Sequence, residues 1–331
     1  MLHAPDEIRA PAPRSSPAAS ATDILRFLTA GLAEGRRGLL AAITGLSGTG
    51  ARAVGSYMAV LDNGDSAGSF SSGCVETAIV AEALDVLTAG APRTVRFGQG
   101  SPYIDIRLPC GGGMDVHFLP DPPRESLEAG LASLDARHPV IFHLDPAGSL
   151  SAATGYSQRG ARWEQGIFSI GHAPPLRLVL LGHGAEMLTT LHLARSFGAL
   201  VEIYSPDVQI VEAGRAAGAP ATRLVSQSAP PSLAGDPWTA FLFLFHDHDW
   251  EPPLLARALE ASSFWIGAMG SRQTQSARGE ALKTLGVDPA AIARVHGPIG
   301  LIPHTRDPAT LGLSALAEIV GAYNRMRQQP I

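Results

Sequence analysis

Four short, largely apolar runs in the second half of the chain are each followed by a helical stretch: Leu176 to Leu181, Leu200 to Tyr204, Phe241 to Phe245 and Phe264 to Met269. This alternation constrains the fold more than any other feature. An apolar strand that returns after every helix is buried on both faces, which requires a parallel, doubly wound sheet with helices on either side. Ala173-Pro174-Pro175 marks a linker ahead of it. Asp307-Pro308 starts the last helix, with Asp as N-cap and Pro at the first position, and the pattern runs to about Tyr323.

The first half reads differently. Thr22 to Leu32 is a helix capped by Thr22, and Gly38 to Thr44 is a buried strand that runs into the glycine-rich stretch Gly45 to Gly50. Val54 to Leu61 and Ser66 to Phe70 form a hairpin through Asp62-Asn63-Gly64, because Asn and Gly both tolerate positive φ. Ser71-Ser72-Gly73-Cys74 opens a helix, Val75 to Ala89, that Gly90 ends. Strands follow at Val95 to Phe97, Tyr103 to Leu108 and Met114 to Leu119, with a sharp turn at Pro109-Cys110-Gly111-Gly112-Gly113. A helix near Glu125 to Ala136 and a strand Pro139 to His143 complete it. The expectation is an α/β protein: a disordered tail over 1–21, an α+β domain over 22–172 and a doubly wound domain over 173–331.

The chain has 331 residues, 45% of them hydrophobic, enough for two real cores. Charged residues make up 17% and the net charge is -5, so no clustered positive charge calls for nucleic acid or an anionic membrane. The apolar runs are too short to span a bilayer, and the first twenty or so residues lack the apolar core of a secretion signal, so the expected compartment is the cytoplasm. The two cysteines lie 36 positions apart, a spacing of neither a disulfide framework nor a zinc site, and read as two free thiols.

Several constellations could carry chemistry. Gly182-His183-Gly184 falls between a strand and a helix, the context of a Rossmann-like phosphate turn, and Asp207 lies 25 positions after Gly182, where a ribose-binding acid is often found. Met187 stands where a third glycine would be. The turn thus leaves open NAD(P) use, another phosphate-bearing ligand, or none. Met269-Gly270-Ser271-Arg272 follows the fourth strand, where Arg272 could grip a phosphate or merely support structure. His246-Asp247-His248-Asp249 has metal-site residue types but reads as a surface loop. His296, His304 and Arg306 flank Gly297 to Leu301, either lining a cleft or on the surface. Cys74 stands at a helix N-terminus, which lowers a thiol pKa, and Glu76 follows it closely. Cys110 sits among glycines that let a large ligand approach. Soft thiolates suit soft or sulfur-bearing metal centres.

At these residues the sequence resembles the XdhC/CoxI family, accessory proteins of xanthine dehydrogenase and related molybdenum hydroxylases. The resemblance rests on Gly73-Cys74-Val75-Glu76, Cys110-Gly111-Gly112, Phe264 to Arg272, Gly297 to Leu301 and Ala315 to Ile319, in that order. It implies an N-terminal α+β domain of XdhC/CoxI type followed by a C-terminal Rossmann-like domain. It also implies a chaperone with no turnover of its own. Such a protein binds molybdenum cofactor (molybdopterin) transiently, protects it, supports its sulfuration with a cysteine desulfurase, and inserts it into the large subunit of the hydroxylase. A homodimer is implied too. Carried over, Cys110 is the foremost cofactor contact and the metal-facing residue. Cys74, Glu76, Gly111 and Gly112 are the next, and Gly182, Gly184, Gly270, Ser271 and Arg272 are contacts of the Rossmann-like half. Ser72, Pro303-His304 and Ser205-Pro206-Asp207 depart from the family's usual residues. Two other readings stand beside it: an NAD(P)-dependent oxidoreductase, and a persulfide carrier with sulfur held on Cys74 or Cys110.

Overall fold

The computed structural model describes residues 14–16, 20–48, 52–71, 73, 75–101, 111–156, 160–246, 249–305 and 307–328. The chain divides into two compact units, 1–172 and 173–331.

In the first unit, β1 (Ser15–Ser16) lies within the stretch read as a tail. It pairs in parallel with β4 (Ser66–Ala67), so at residues 14–16 the structure departs from that reading. The helix α1 (Ala21–Ala33) is capped by Ser20 rather than by Thr22. Ser20 Oγ accepts from the Asp23 amide at 3.2 Å while Asp23 Oδ2 accepts from the Ser20 amide at 3.1 Å. That reciprocal pair satisfies two amides at once, which Thr22 inside the first turn has no means to do. Next come β2 (Gly38–Ser47), β3 (Tyr57–Leu61) and, beyond β4, α2 (Glu76–Ala89), ended by Gly90 at φ 68°. The β3–β4 hairpin forms as its turn residues predict, with Gly64 at φ 83°. Then follow β5 (Arg93–Gly98), β6 (Gly113–Pro120) and α3 (Arg124–Asp135). The strand expected over 103–108 lies outside the described residues.

These strands form a sheet of order β1-β4-β3-β2-β6-β5. Its central strand, β2, is buried on both faces. Leu39, Ala41 and Ile43 join Ile79, Ala83 and Val86 of α2 in one core. Leu40 and Ala42 join a second core with Leu25 and Leu28 of α1 and Leu127 of α3. The alternation is the two-residue period of a strand with a layer on each side.

A second sheet, absent from the sequence reading except for its first strand, closes that other face. It comprises β7 (Val140–Asp145), β8 (Ser149–Thr154), β9 (Ala161–Glu164) and β10 (Ile167–His172) in the order β8-β7-β10-β9, all antiparallel. Phe142, Leu144, Phe168 and Ile170 point into the core. The alternate residues His143, Ser151 and Ser169 stand opposite one another across three strands on the outer face.

The second unit holds β11 (Arg177–Gly182), α4 (Ala185–Ser196), β12 (Leu200–Ser205), α5 (Val208–Ala216) and β13 (Ala221–Arg223). It continues through β14 (Thr239–Leu244), α6 (Glu251–Glu260), β15 (Trp265–Ala268), α7 (Arg272–Thr284), α8 (Pro289–Ile292), β16 (Val295–His296) and α9 (Pro308–Gln328). The sheet runs β13-β12-β11-β14-β15-β16, every pairing parallel. That is the Rossmann order, in which the sequence of strand addition reverses between the first and fourth strands, here β11 and β14. The four expected strands are present, and the short edge strands β13 and β16 extend them. Asp307 caps α9 by accepting from the Thr310 amide at 2.8 Å, and the helix continues five residues beyond Tyr323. The Tyr323 hydroxyl donates to the Pro174 carbonyl, tying the helix to the segment ahead of β11. Among the described residues no helix is long and apolar enough to cross a membrane.

Candidate functional site

The register of the first sheet places several strand ends side by side. Ala42 faces Tyr57, Ser47 faces Gly113, Gly98 faces Gly113, and Ala59 faces Ala67. The C-terminal ends of β2, β4 and β5 and the N-terminal ends of β3 and β6 therefore share one edge of the sheet. The loop that follows β4 and the loop that joins β5 to β6 both leave from this edge. These are the loops that carry the two cysteines in the sequence. Cys74 and Cys110 themselves lie outside the described residues, as does Ser72, while their neighbours Gly73, Val75 and Gly111 are described. Strands β4 and β6 are three spacings apart, about 14 Å.

Glu76 turns back into its own loop. Its Oε1 accepts from the Ser69 hydroxyl at 2.7 Å and from the amides of Phe70 and Ser71 at 3.0 and 2.7 Å. Its Oε2 accepts from the Ser71 hydroxyl and the Gly73 amide at 2.8 Å each, and from the Val75 amide at 3.2 Å. Burial pushes the carboxyl pKa up, but the Ser71 amide and the Ser69 and Ser71 hydroxyls outweigh it and bring the value to about 2. Glu76 thus remains an anion and folds the loop around itself. Both of its oxygens are committed to that loop.

The other loop has an organiser that sequence reasoning missed. Arg96 faces Asp115 directly across the β5–β6 ladder. Its Nη1 donates to both Asp115 oxygens at 2.9 and 3.0 Å, its Nε to the Gln99 carbonyl at 2.7 Å, and its Nη2 to Ser47 Oγ at 2.5 Å. One guanidinium thereby ties the ends of β2, β5 and β6 together. The Gln99 amide donates to the Gly112 carbonyl at 2.9 Å, and Gly111 adopts φ 67°. A Cβ on Gly113 would fall 2.6 Å from the Gln99 carbonyl, so the backbone packs there as only glycine permits. A cross-strand pair of opposite charges is the signal that could have revealed Arg96, once the strands were correctly paired.

In the second unit the residues of interest gather at the carboxyl edge of the parallel sheet. Gly182 ends β11 so close to β14 that a Cβ would lie 2.4 Å from the Leu244 carbonyl. Gly184, at φ 95°, precedes α4. Met187 is fully buried. The Glu186 carboxylate stands in front of the turn, its Oε2 3.4 Å from His246 Nε2. Asp207, expected as a ribose contact, caps α5 by accepting from the Gln209 amide at 2.8 Å. Asp247, His248 and Arg306 lie outside the described residues. Among the described residues no group of three or more His, Cys, Asp or Glu side chains could hold a metal ion.

Gly270 and Ser271 form the entry to α7. Ser271 Oγ accepts from the Thr274 amide at 3.1 Å, and Gly270 has φ 142°. Arg272 is exposed, at the first position of that helix. Beneath it lies a pair that the sequence did not reveal. Arg278 is held bidentately by Glu251, with Nε to Oε2 at 3.1 Å and Nη2 to Oε1 and Oε2 at 3.2 and 3.0 Å. Its Nη2 also donates to the Met269 carbonyl at 2.7 Å and its Nη1 to Gln275 Oε1. The Gly297 to Leu301 loop is clasped from α9. Glu318 Oε2 accepts from the Gly300 amide at 2.6 Å, and its Oε1 is 3.5 Å from His296 Nδ1. The His296 ring stacks on Trp265 at 5.4 Å. The motifs around residues 265–272, 297–301 and 315–319 are thus one contiguous structure. His304 is exposed at φ 59°.

A groove of 690 Å³ on the outer face of the second sheet is lined by His143, Asp145, Glu164 and Ser169. His143 Nδ1 is 2.9 Å from Ser169 Oγ in the wall of this groove, and Ser169 is 3% exposed.

The α+β unit with its two glycine-bounded loops, followed by a Rossmann-ordered unit, defines the class. The chain belongs to the XdhC and CoxI family, whose profile matches residues 31–98, while the profile of the XdhC Rossmann domain matches residues 178–319. It is 34% identical over 307 residues to the molybdenum cofactor insertion chaperone PaoD of Escherichia coli (strain K12), covering 92% of this chain and 89% of PaoD. It is also 27% identical over 223 residues to the uncharacterized protein YqeB of the same organism, covering 65% of this chain but only 38% of YqeB. Its fold matches a crystal structure described as a xanthine dehydrogenase from Bacillus halodurans. The TM-score is 0.72 at 19% identity, with 91% of this chain and 96% of that chain covered.

Proposed function

We propose that the protein is an accessory chaperone that binds molybdenum cofactor transiently and inserts it into a molybdenum hydroxylase of the xanthine dehydrogenase type. The likeness to PaoD, which extends over 92% of the chain, carries this reading. The shared sheet edge from which both cysteine-bearing loops emerge supports it. In this reading a Cys110 thiolate faces the metal, because soft sulfur ligands suit a molybdenum centre already bound by dithiolene sulfur. Gly111 and Gly112 let the cofactor approach the backbone. Cys74 is the second thiol, and Glu76 acts through the loop that presents it. Gly182, Gly184, Gly270, Ser271 and Arg272 serve the cofactor from the Rossmann unit. Sulfuration with a cysteine desulfurase, a homodimer and a cytoplasmic setting belong to the same proposal.

Purified wild-type protein is expected to carry molybdenum and pterin about stoichiometrically when produced with the cofactor. Cys110→Ala is expected to lower occupancy at least on the order of tenfold, since even outer-shell partners of a metal are worth about 10–100-fold in affinity. Metal analysis and pterin fluorescence after oxidative release check this. Unchanged occupancy in the variant removes Cys110 from the site.

The Rossmann order and the Gly182 turn favour a second reading, an NAD(P)-dependent oxidoreductase. Against it, Glu186 stands where the pyrophosphate would lie, and Asp207 is occupied as a helix cap. Saturable binding of NAD(H) or NADP(H) would revive it.

A further inference from the structure

Among the described residues of the first unit, Trp163 of β9 is the single exposed large apolar side chain, at 46%. Its mount is rigid. The indole N–H donates to the Thr44 carbonyl at 3.1 Å, and the ring packs against Phe168 at 5.1 Å. Thr44 sits at the break in register between Ile43 and Gly45, where β2 passes from the buried cores toward the edge that both cysteine-bearing loops leave. The ring is thus held still with nearly half of its surface outward. The ground beside it is poor in side chains. Ala42 of the second core faces His117, so Asp115, two positions before His117, lies on that same face with its partners Gly45 and Arg96. Trp163 approaches this face through Phe168 of the same core. A Cβ on Gly45 would fall 2.7 Å from Asp115 Oδ2, and one on Gly48 would fall 3.4 Å from the Cα of Gly112, in the Cys110 loop. From Thr44 to Ser47, which faces Gly113, is about 10 Å of strand. Along that stretch the face offers glycines and the Arg96–Asp115 pair, whose side chains are partly open to solvent.

We propose that Trp163 is the platform on which the pterin ring of the cofactor stacks, which leaves the metal end to the cysteine-bearing loops at the same edge. This rests on the reading of the protein as a cofactor carrier. A pterin is a flat, electron-poor heterocycle, and an indole face offers it an electron-rich surface of matching shape. Because the Thr44 carbonyl and Phe168 already fix the indole, stacking orders no further side chain. The glycines at 45 and 48 keep side chains out of the path of a ring that lies along β2. The platform then grips the organic ring, and the thiolates remain for the metal.

The test titrates the intact protein with 6-hydroxymethylpterin and follows the pterin's own emission, excited where tryptophan does not absorb. Contact with an indole quenches that emission, so the wild type is expected to bind with quenching. Trp163→Phe keeps a stacking ring but has no N–H for the Thr44 carbonyl, and Trp163→Leu lacks both. Trp163→Phe is expected to hold close to wild-type affinity with most of the quenching gone. Trp163→Leu is expected to bind about tenfold or more weakly, the usual scale for losing an aromatic partner of a flat base. A side chain that serves only the fold, through Thr44, predicts otherwise: both variants lose the same donor and fall together. Equal affinities in the Phe and Leu variants, whether lowered or unchanged, overturn the inference. Trp163→Tyr is expected to follow Trp163→Phe, which preserves the comparison should one substitution disturb the strand. Molybdenum content measured on the same wild-type preparation separates the two failures. Wild type that carries molybdenum but leaves the pterin emission unquenched sinks this inference alone. Wild type that takes up neither molybdenum nor pterin sinks the carrier reading, and this inference with it.

Discussion

Glu251→Ala is expected to destabilise the second unit by about 3–5 kcal/mol, the typical cost of leaving one half of a buried ion pair uncompensated. Arg278 and Glu251 have side chains only 2% and 1% exposed, and the guanidinium is also bound to the Met269 carbonyl and to Gln275. Removing the carboxylate strands a positive charge between α6 and α7. Replacing both partners with apolar residues of similar size, Glu251→Leu with Arg278→Met, is expected to recover most of that loss. The double variant nonetheless leaves the Met269 carbonyl without its donor, so the entry to α7 at Gly270 and Ser271 should loosen while the unit stays folded. Urea unfolding followed by tryptophan fluorescence is the measurement. Trp238 and Trp265 are buried and Trp250 half-buried in the second unit, whereas Trp163 of the first is 46% exposed, so emission reports mainly on the unit of interest. A Glu251→Ala midpoint within error of wild type would show that the pair contributes nothing.

Glu76→Gln is expected to cost the first unit about 2 kcal/mol, a figure discounted because the carboxylate is partly solvated. Glutamine keeps one acceptor and turns an amide donor toward hydroxyls and backbone amides that also donate. The pH dependence gives a second readout. The carboxyl titrates at about 2 in the native state, against 4.5 ordinarily. A depressed native pKa stabilises the fold fully above 4.5, and the contribution is lost as pH falls from there toward 2. Wild type is therefore expected to lose stability over that window in excess of Glu76→Gln, and the two curves should converge at the acid end. Parallel curves across the window would mean that Glu76 does not hold the loop as an anion. Under the proposed function, cofactor occupancy in Glu76→Gln is expected to fall along with loop order.

The Rossmann unit was legible because its inner strands are buried on both faces, and such strands declare themselves as apolar runs. The edge strands β13 and β16, three and two residues long, carry too little pattern to be read. The second sheet escaped for another reason. Strand Ser149–Thr154 buries only Leu150, with Ala152 half-buried and the rest exposed, so alternation is weak and reads as loop. Ser20 and Thr22 are both cap types, and the cap is the better of the two, with an acid three residues on. At the sites, glycine spacing located the turns but not their charge. Glu186 carries no motif in the sequence, and its 3.4 Å approach to His246 arises from the pairing of β11 with β14. Glu251 and Arg278 lie 27 positions apart on separate helices, and charged residues there read as solvent-facing until packing encloses them. Arg272 was singled out beside the strand end, while the buried arginine that supports its loop was not.

The double burial of β2 has a consequence for how the first unit can breathe. Its amides are screened by a helical layer on one side and by helices and a sheet on the other, so they exchange with solvent only when the whole unit opens. The loop gathered by Glu76 owes its shape to one carboxylate and not to the ladder. It can come apart and re-form while β2 stays closed. In the proposed carrier role, such a loop would release a cargo without the unit passing through an unfolded state.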